Sequence, residues 1–264
     1  MSWIEVEGAS LRYRITGADA GGTTLVLIHE AGGSIESWDA VLPLLPRSRV
    51  LCYDQRGFGL SERASTLGVA QMVGDLHALL RALGLAEAPV LLVGTAIGGT
   101  IALAYAATHP VHVRGVVATS PVTGPSTPAM REAMAGRAAL VEAEGMRAVA
   151  DAALARSYPE SLRGDGERFR RYRARLLGND PQSFAALSRC YVDVDLTPSY
   201  PSVRCPALVV GCRHDGIKPP AECAAAAEAM PRGRFVELDS GHFVAVQAPE
   251  LLVATVQQFA WELS

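Results

Sequence analysis

VLLVGTAIGGTIALAYAATHP, residues 90–110, begins as a strand and ends as a helix. Its first four residues are apolar without a polar alternate. That pattern suits a strand covered on both faces, as in a parallel sheet. From Ile97 onward the small and apolar residues run too long for a strand and suit a helix. Between the two lies Gly94-Thr95-Ala96-Ile97-Gly98. A tight strand-to-helix turn crowds the positions two before and two after its centre, and glycine there removes the Cβ atoms that would collide. The central side chain is thrust into a cleft. Here it is Ala96, which has no nucleophilic atom.

Outward from this turn, strand-like runs fall at 10–15, 25–29, 50–53, 113–119, 207–210 and 235–238. Helical patterns fall at 69–83, 97–108, 220–230 and 249–263. Strands alternating with helices over short connections predict an α/β fold with a doubly wound, mostly parallel sheet. The first two runs, 10–15 and 25–29, precede the alternation and are expected to pair as an antiparallel hairpin at the sheet edge. Residues 125–202 break the pattern: they are rich in Ala, Arg, Glu and Met and are divided at Gly145, Pro159, 164–166 and Asn179-Asp180-Pro181. They predict about four helices. The expected organisation is a core of residues 1–124 and 203–264 with a helical cap, 125–202, inserted over the strand ends where ligands bind.

The 264 residues are 49% hydrophobic and 19% charged, enough for one sizeable core. A net charge of −3, with 24 Lys and Arg scattered along the chain, offers no basic face for nucleic acid. Without a basic, apolar leader or an unbroken apolar run of spanning length, no membrane association is expected, and the reading is a cytoplasmic protein. Five cysteines lack CxxC spacing and predict buried free thiols. No HxH or CxxC ligand set and no phosphate-loop lysine occurs, so neither a metal nor an organic cofactor is expected. The last helix carries an apolar strip compatible with either a monomer or a homodimer.

The turn at Ala96, together with SRVLCYDQRGFGLSE (48–62), GCRHDGIKPP (211–220) and DSGHFVAVQAPELL (239–252), resembles the α/β-hydrolase family over nearly the whole chain. The likeness is greatest to capped enzymes such as enol-lactonases and C–C or ester hydrolases. It implies an eight-stranded sheet and a triad in chain order: an elbow nucleophile, then an Asp after a strand, then a His near the C-terminus. Asp215 and His242 match; Ala96 stands where the family usually has serine. The chemistry of the pair is general: a His whose second ring nitrogen donates to a carboxylate is held in one tautomer and can take a proton near neutral pH. The resemblance also implies an oxyanion hole from the Ala31 and Ile97 N–H groups. Glu30 stands where the family commonly has glycine, and is read as a possible contact to substrate or water. Asp54 and Arg56 are expected to brace the site, His214 to be a bystander, and the ERFRRYRAR run (167–175) to face water. Tyr158, Phe169, Tyr172, Phe184 and Tyr191 offer apolar walls to a small-molecule pocket.

Three readings of Ala96 stay open at the level of sequence. The chain is a hydrolase of a small carbonyl substrate, an ester, a lactone or a cleavable C–C bond, whose serine has been replaced by alanine, deliberately or in nature. Alternatively, His242 and Asp215 act without a side-chain nucleophile, in hydrolysis by activated water, lyase chemistry or cofactor-free oxygenation. In the third, the capped pocket is a ligand-binding receptor with no turnover.

Overall fold

The computed structural model describes residues 1–17 and 22–263. Its strands are β1 (Ser2–Val6), β2 (Ala9–Thr16), β3 (Thr24–Ile28), β4 (Val50–Tyr53), β5 (Val90–Thr95), β6 (Val113–Thr119), β7 (Ala207–Cys212) and β8 (Gly233–Leu238). They form one sheet in the order β1-β2-β4-β3-β5-β6-β7-β8, parallel from β4 to β8. The register sets Ile28 beside Gly94, Thr95 beside Thr119, and Cys212 beside Leu238. The carboxyl ends of β3, β5, β6, β7 and β8 therefore form one edge, and every loop that carries a candidate site residue leaves from it.

The edge hairpin is not the one expected. β1 pairs with β2, Ser2 opposite Tyr13 and Val6 opposite Ala9. β3, which holds the 25–29 run, lies inside the sheet, parallel to β4 and β5. Glu7 and Gly8 close the hairpin with φ of 47° and 70°, the two left-handed residues whose twist matches paired strands. The β1 sequence SWIEV is mostly exposed. An edge strand with one face in water has no apolar run, and so the signal that marks the buried strands is absent there.

The interior strands are apolar throughout because helices cover both faces. The helices of the core are α1 (Val69–Ala82) and α2 (Ile97–Thr108), with α7 (Pro220–Glu228), α8 (Val244–Gln247) and α9 (Pro249–Glu262) after the insertion. On β5, Val90 and Leu92 pack in the core shared with α1, α2 and α7. Leu91 and Val93 face the other core, with Trp38, Val244 and the α9 residues Leu252, Val256 and Phe259. Replacing a fully buried residue such as Leu92 by alanine in such a layer typically costs about 2–5 kcal/mol.

Between β6 and β7 the chain builds α3 (Pro128–Glu144), α4 (Arg147–Ser157), α5 (Gly166–Leu177) and α6 (Pro181–Cys190). Thr127, Asp165 and Asp180 cap the starts of α3, α5 and α6 by accepting from the amides of Met130, Arg168 and Ser183. Gly145, at φ 78°, ends α3. The insertion is tied to the site-bearing edge. Asn179 Nδ2 donates to the Gly32 carbonyl at 3.0 Å, the Ala64 amide to Ser183 Oγ at 3.0 Å, and the His242 amide to the Ser157 carbonyl at 3.2 Å. The five cysteines are buried and free. Among the described residues, no helix is long and apolar enough to cross a membrane.

Candidate active site

The elbow keeps its geometry although its side chain is a methyl group. Ala96 is buried and holds φ 52° and ψ −116°, a strained conformation for any residue with a Cβ. A Cβ on Gly94 would strike the Gly98 backbone, and one on Gly98 would strike the Ile28 carbonyl. The two glycines thus let β5, α2 and the end of β3 approach each other. The Ala96 amide donates to the Thr119 carbonyl at 2.8 Å and pins the turn to β6. Ile97 opens α2, where the first amide has no partner within the helix and the helix dipole is positive.

The loop after β3 is fixed from beneath. His29 is fully buried, and the Gln55 amide donates to its Nε2 at 3.0 Å. Nδ1 therefore carries the hydrogen and donates to the Glu30 carbonyl at 2.7 Å. Burial pushes the His29 pKa below its ordinary value, against the pull of the Glu30 and Asp54 charges, and keeps the ring neutral. The Gly33 amide also donates to the Glu30 carbonyl, at 3.0 Å, closing the turn that carries Ala31. Asp54 braces the same loop from β4. Its Oδ1 accepts from the Ile35 amide at 2.7 Å, and its Oδ2 from Arg12 Nε at 2.5 Å and the Leu60 amide at 2.8 Å. Arg56 turns away and pairs with Asp75 at 2.5 Å.

Glu30 is fully buried in this loop. Its Oε1 accepts from Ser37 Oγ at 2.8 Å, while Oε2 has no partner among the described residues. Nothing near position 30 in the sequence marks Ser37 as its partner. The contact arises only from the tight turn that follows β3.

Asp215 and His242 meet across the loops after β7 and β8. His242 Nδ1 donates to Asp215 Oδ2 at 2.7 Å, and both residues are buried. Asp215 Oδ1 takes the Ile217 and Lys218 amides at 2.8 and 2.9 Å. Burial alone would raise the Asp215 pKa, but the hydrogen bond and charge of His242, with the Lys218 amide, hold it below the ordinary aspartate range. With Nδ1 occupied, His242 Nε2 has no protein partner among the described residues and is the basic face of the pair. His214 points outward to Asp239 at 2.8 Å.

The aromatic residues divide into two groups. Tyr172 lies 4.9 Å from Phe243, ring centre to ring centre, and Phe243 lies 5.0 Å from His242; Tyr158 packs against Phe169 at 5.2 Å. Phe184 and Tyr191 instead flank Arg137, whose guanidinium is 5.3 and 5.6 Å from their rings. Phe243, Ser37 and Arg137 carry no signal in the sequence alone. Of the Arg-rich run, Arg170 and Arg173 pair with Glu167 and Asp151 at the surface. Arg168, Arg171 and Arg175 line a cleft of about 350 Å³ that reaches Tyr172, and an adjoining cleft of about 780 Å³ runs along the seam past Gly33 and Asn179. Ala96 and His242 lie inside, lining neither.

With this geometry in view, comparison with known proteins is direct. The model of the Alpha/beta hydrolase family matches residues 25–255. The chain belongs to that family. As an alpha/beta hydrolase it is an enzyme of the hydrolytic class, and its eight-stranded, mostly parallel sheet with surrounding helices is the fold of that family. It is 30% identical over 243 residues to RutD of Caulobacter sp. (strain K31), a provisionally named carbamate hydrolase, covering 89% of this chain and 90% of that one. Among solved structures it resembles the enol-lactonase from Burkholderia xenovorans LB400, with TM-score 0.91 and 29% identity over 98% of this chain and 99% of that one. It also resembles a thermophilic esterase from Thermogutta terrifontis, with TM-score 0.92 and 27% identity over 100% of this chain and 99% of that one.

Proposed function

We propose that this hydrolase cleaves a small carbonyl substrate beneath a cap formed by residues 125–202, using water activated by His242 in place of a side-chain nucleophile. The observation that carries the reading is the complete, buried Asp215–His242 pair at 2.7 Å, with Nε2 unengaged, beside an elbow that ends in a methyl group. In this scheme Asp215 holds the imidazole with Nδ1 protonated. Nε2 removes a proton from water as the water oxygen bonds to the carbonyl carbon, and the Ala31 and Ile97 amides take the developing oxyanion. Collapse of that intermediate expels the leaving group, to which the His242 imidazolium returns the proton. Glu30 contacts substrate or water in the same pocket. The names of the relatives, a carbamate hydrolase, an enol-lactonase and an esterase, have attack at a carbonyl in common. Ester, lactone and C–C cleavage are all chemically within its reach.

A second reading rests on the strained φ of Ala96. In that reading the elbow is built for a serine, and the chain binds a substrate that it cannot acylate. Turnover of nitrophenyl esters, lactones and vinylogous diketones by the native chain, Ala96→Ser and His242→Ala separates the two. Activity in the native chain that is lost with His242→Ala supports activated water. Activity confined to Ala96→Ser, passing through a trapped acyl-enzyme, supports the second reading and overturns the first. Saturable binding with no product from any variant marks a receptor.

A further inference from the structure

Glu30 places a carboxyl group where an unsatisfied polar atom is costly. A buried carboxylate keeps its place only through compensating hydrogen bonds, and each one lacking calls for an explanation. Ser37 supplies one bond, to Oε1; Oε2 has none within 3.5 Å among the described residues. Gly33 leaves the room for the group, since a Cβ there would lie 2.6 Å from the carboxyl. Burial first, and then the Glu30 charge, push the Tyr172 hydroxyl on α5 well above its ordinary range, and the same charge reaches Tyr191 beyond α6. Yet the Tyr172 hydroxyl is itself buried and unpartnered. The two groups, one from the core and one from the insertion, are close enough that the Glu30 carboxyl acts on the Tyr172 hydroxyl both by charge and as a hydrogen-bond neighbour, although no bond within 3.5 Å joins them. Tyr172 also belongs to the wall beside His242, through Phe243, and Glu30 immediately precedes Ala31.

From this juxtaposition we infer that Glu30 is a specificity-determining residue that accepts an N–H from the substrate, so that the preferred substrates are small amides, carbamates or ureides. The inference rests on the proposed placement of the substrate carbonyl at Ala31 and Ile97. A carbonyl compound flanked by N–H can satisfy Glu30 Oε2. An ester, a lactone or a ketone offers only acceptors or carbon there, and leaves a buried carboxylate oxygen unbonded. A site built around a hydrogen bond rejects the ligand that lacks it more strongly than an apolar pocket rejects a change of shape.

Two stable probes of one shape test this: benzamide and acetophenone, which differ by NH₂ for CH₃. Their dissociation constants are measured by NMR titration of the ¹⁵N-labelled full chain. Benzamide is expected to bind about tenfold to hundredfold more tightly than acetophenone, the range of one hydrogen bond to a charged group. Glu30→Leu is expected to bring that ratio close to one. Glu30→Gln keeps the shape and one acceptor, and is expected to retain part of the preference. It decides the matter alone if the melting curve of the leucine variant shows loss of fold. Equal binding of the two probes, binding of neither, or a preference unchanged in Glu30→Gln and Glu30→Leu overturns the inference. The readout is binding, so it fails separately from the proposed reaction. Selective benzamide binding without His242-dependent turnover refutes activated water and leaves Glu30 its role, whereas His242-dependent turnover with no amide preference does the reverse.

Discussion

The two sides of the site are finished differently. On the β7–β8 side, Asp215 engages both oxygens with His242 and two backbone amides, and His242 keeps only Nε2 without a partner among the described residues. On the β3–β5 side, the elbow presents a methyl group and the neighbouring loop holds a carboxylate with an unbonded oxygen. The half proposed to move protons has its acid–base pair in place. The half that would hold an acyl group ends in a methyl group at Ala96 and carries the buried Glu30 carboxyl in the neighbouring loop. Both halves retain features that cost stability, a buried acid–base pair on one side and a strained backbone on the other, and the surrounding contacts keep each in position.

The strongest way to break this comparison is to remove the base. His242→Ala is expected to lower turnover of the productive carbonyl substrate about 10²–10⁴-fold in steady-state kinetics, the usual contribution of a positioned base. An unchanged rate would mean that the β7–β8 side is not the proton-moving half. Next in size is Asp54→Ala, which takes from Arg12 the more buried of its two carboxylate partners, leaving Glu36 at 2.7 Å, and frees the Ile35 and Leu60 amides. Chemical denaturation should show a loss of about 3–5 kcal/mol; a loss below 1 kcal/mol would remove Asp54 as the brace of the β3 loop.

Asp215→Asn sharpens the comparison through pH. The folded pKa of Asp215 lies below its ordinary value, so its contribution, about 2 kcal/mol for a charged hydrogen bond, is fully present above the ordinary aspartate range. It is lost as pH falls through the depressed folded value. The difference in Tm between the native chain and Asp215→Asn should therefore be constant near neutrality and shrink in acid. A gap that widens in acid would contradict the assigned direction. The smallest effect is expected at the elbow, where Ala96→Gly relieves a positive φ and should raise stability by about 1 kcal/mol in a urea melt. A loss of stability would show that the Ala96 methyl supplies packing worth more than the strain.

What could be read in the sequence was what neighbouring residues decide. The spacing of Gly94 and Gly98 about Ala96 is a local steric requirement, and Asp165, Asp180 and Gly145 punctuate the insertion by capping, so both were legible. β1 was not, because an edge strand such as SWIEV needs no continuous apolar run. Asp215 and His242 are recognisable by the strands they follow. The surroundings of Glu30 are of another kind. Tyr172 and Glu30 come together only when the insertion folds over the β3 loop, and a hydroxyl without a partner leaves no trace in residue order.

Because the elbow holds its φ of 52° under a methyl group, a serine placed there would arrive on a backbone already shaped for it. Ala96 differs from serine by one oxygen atom and, in the gene, by a single base of any alanine codon. The proposed activated-water mode and an acyl-enzyme mode are therefore one point mutation apart. Growth competition between the alanine and serine alleles gauges which of the two modes serves the cell.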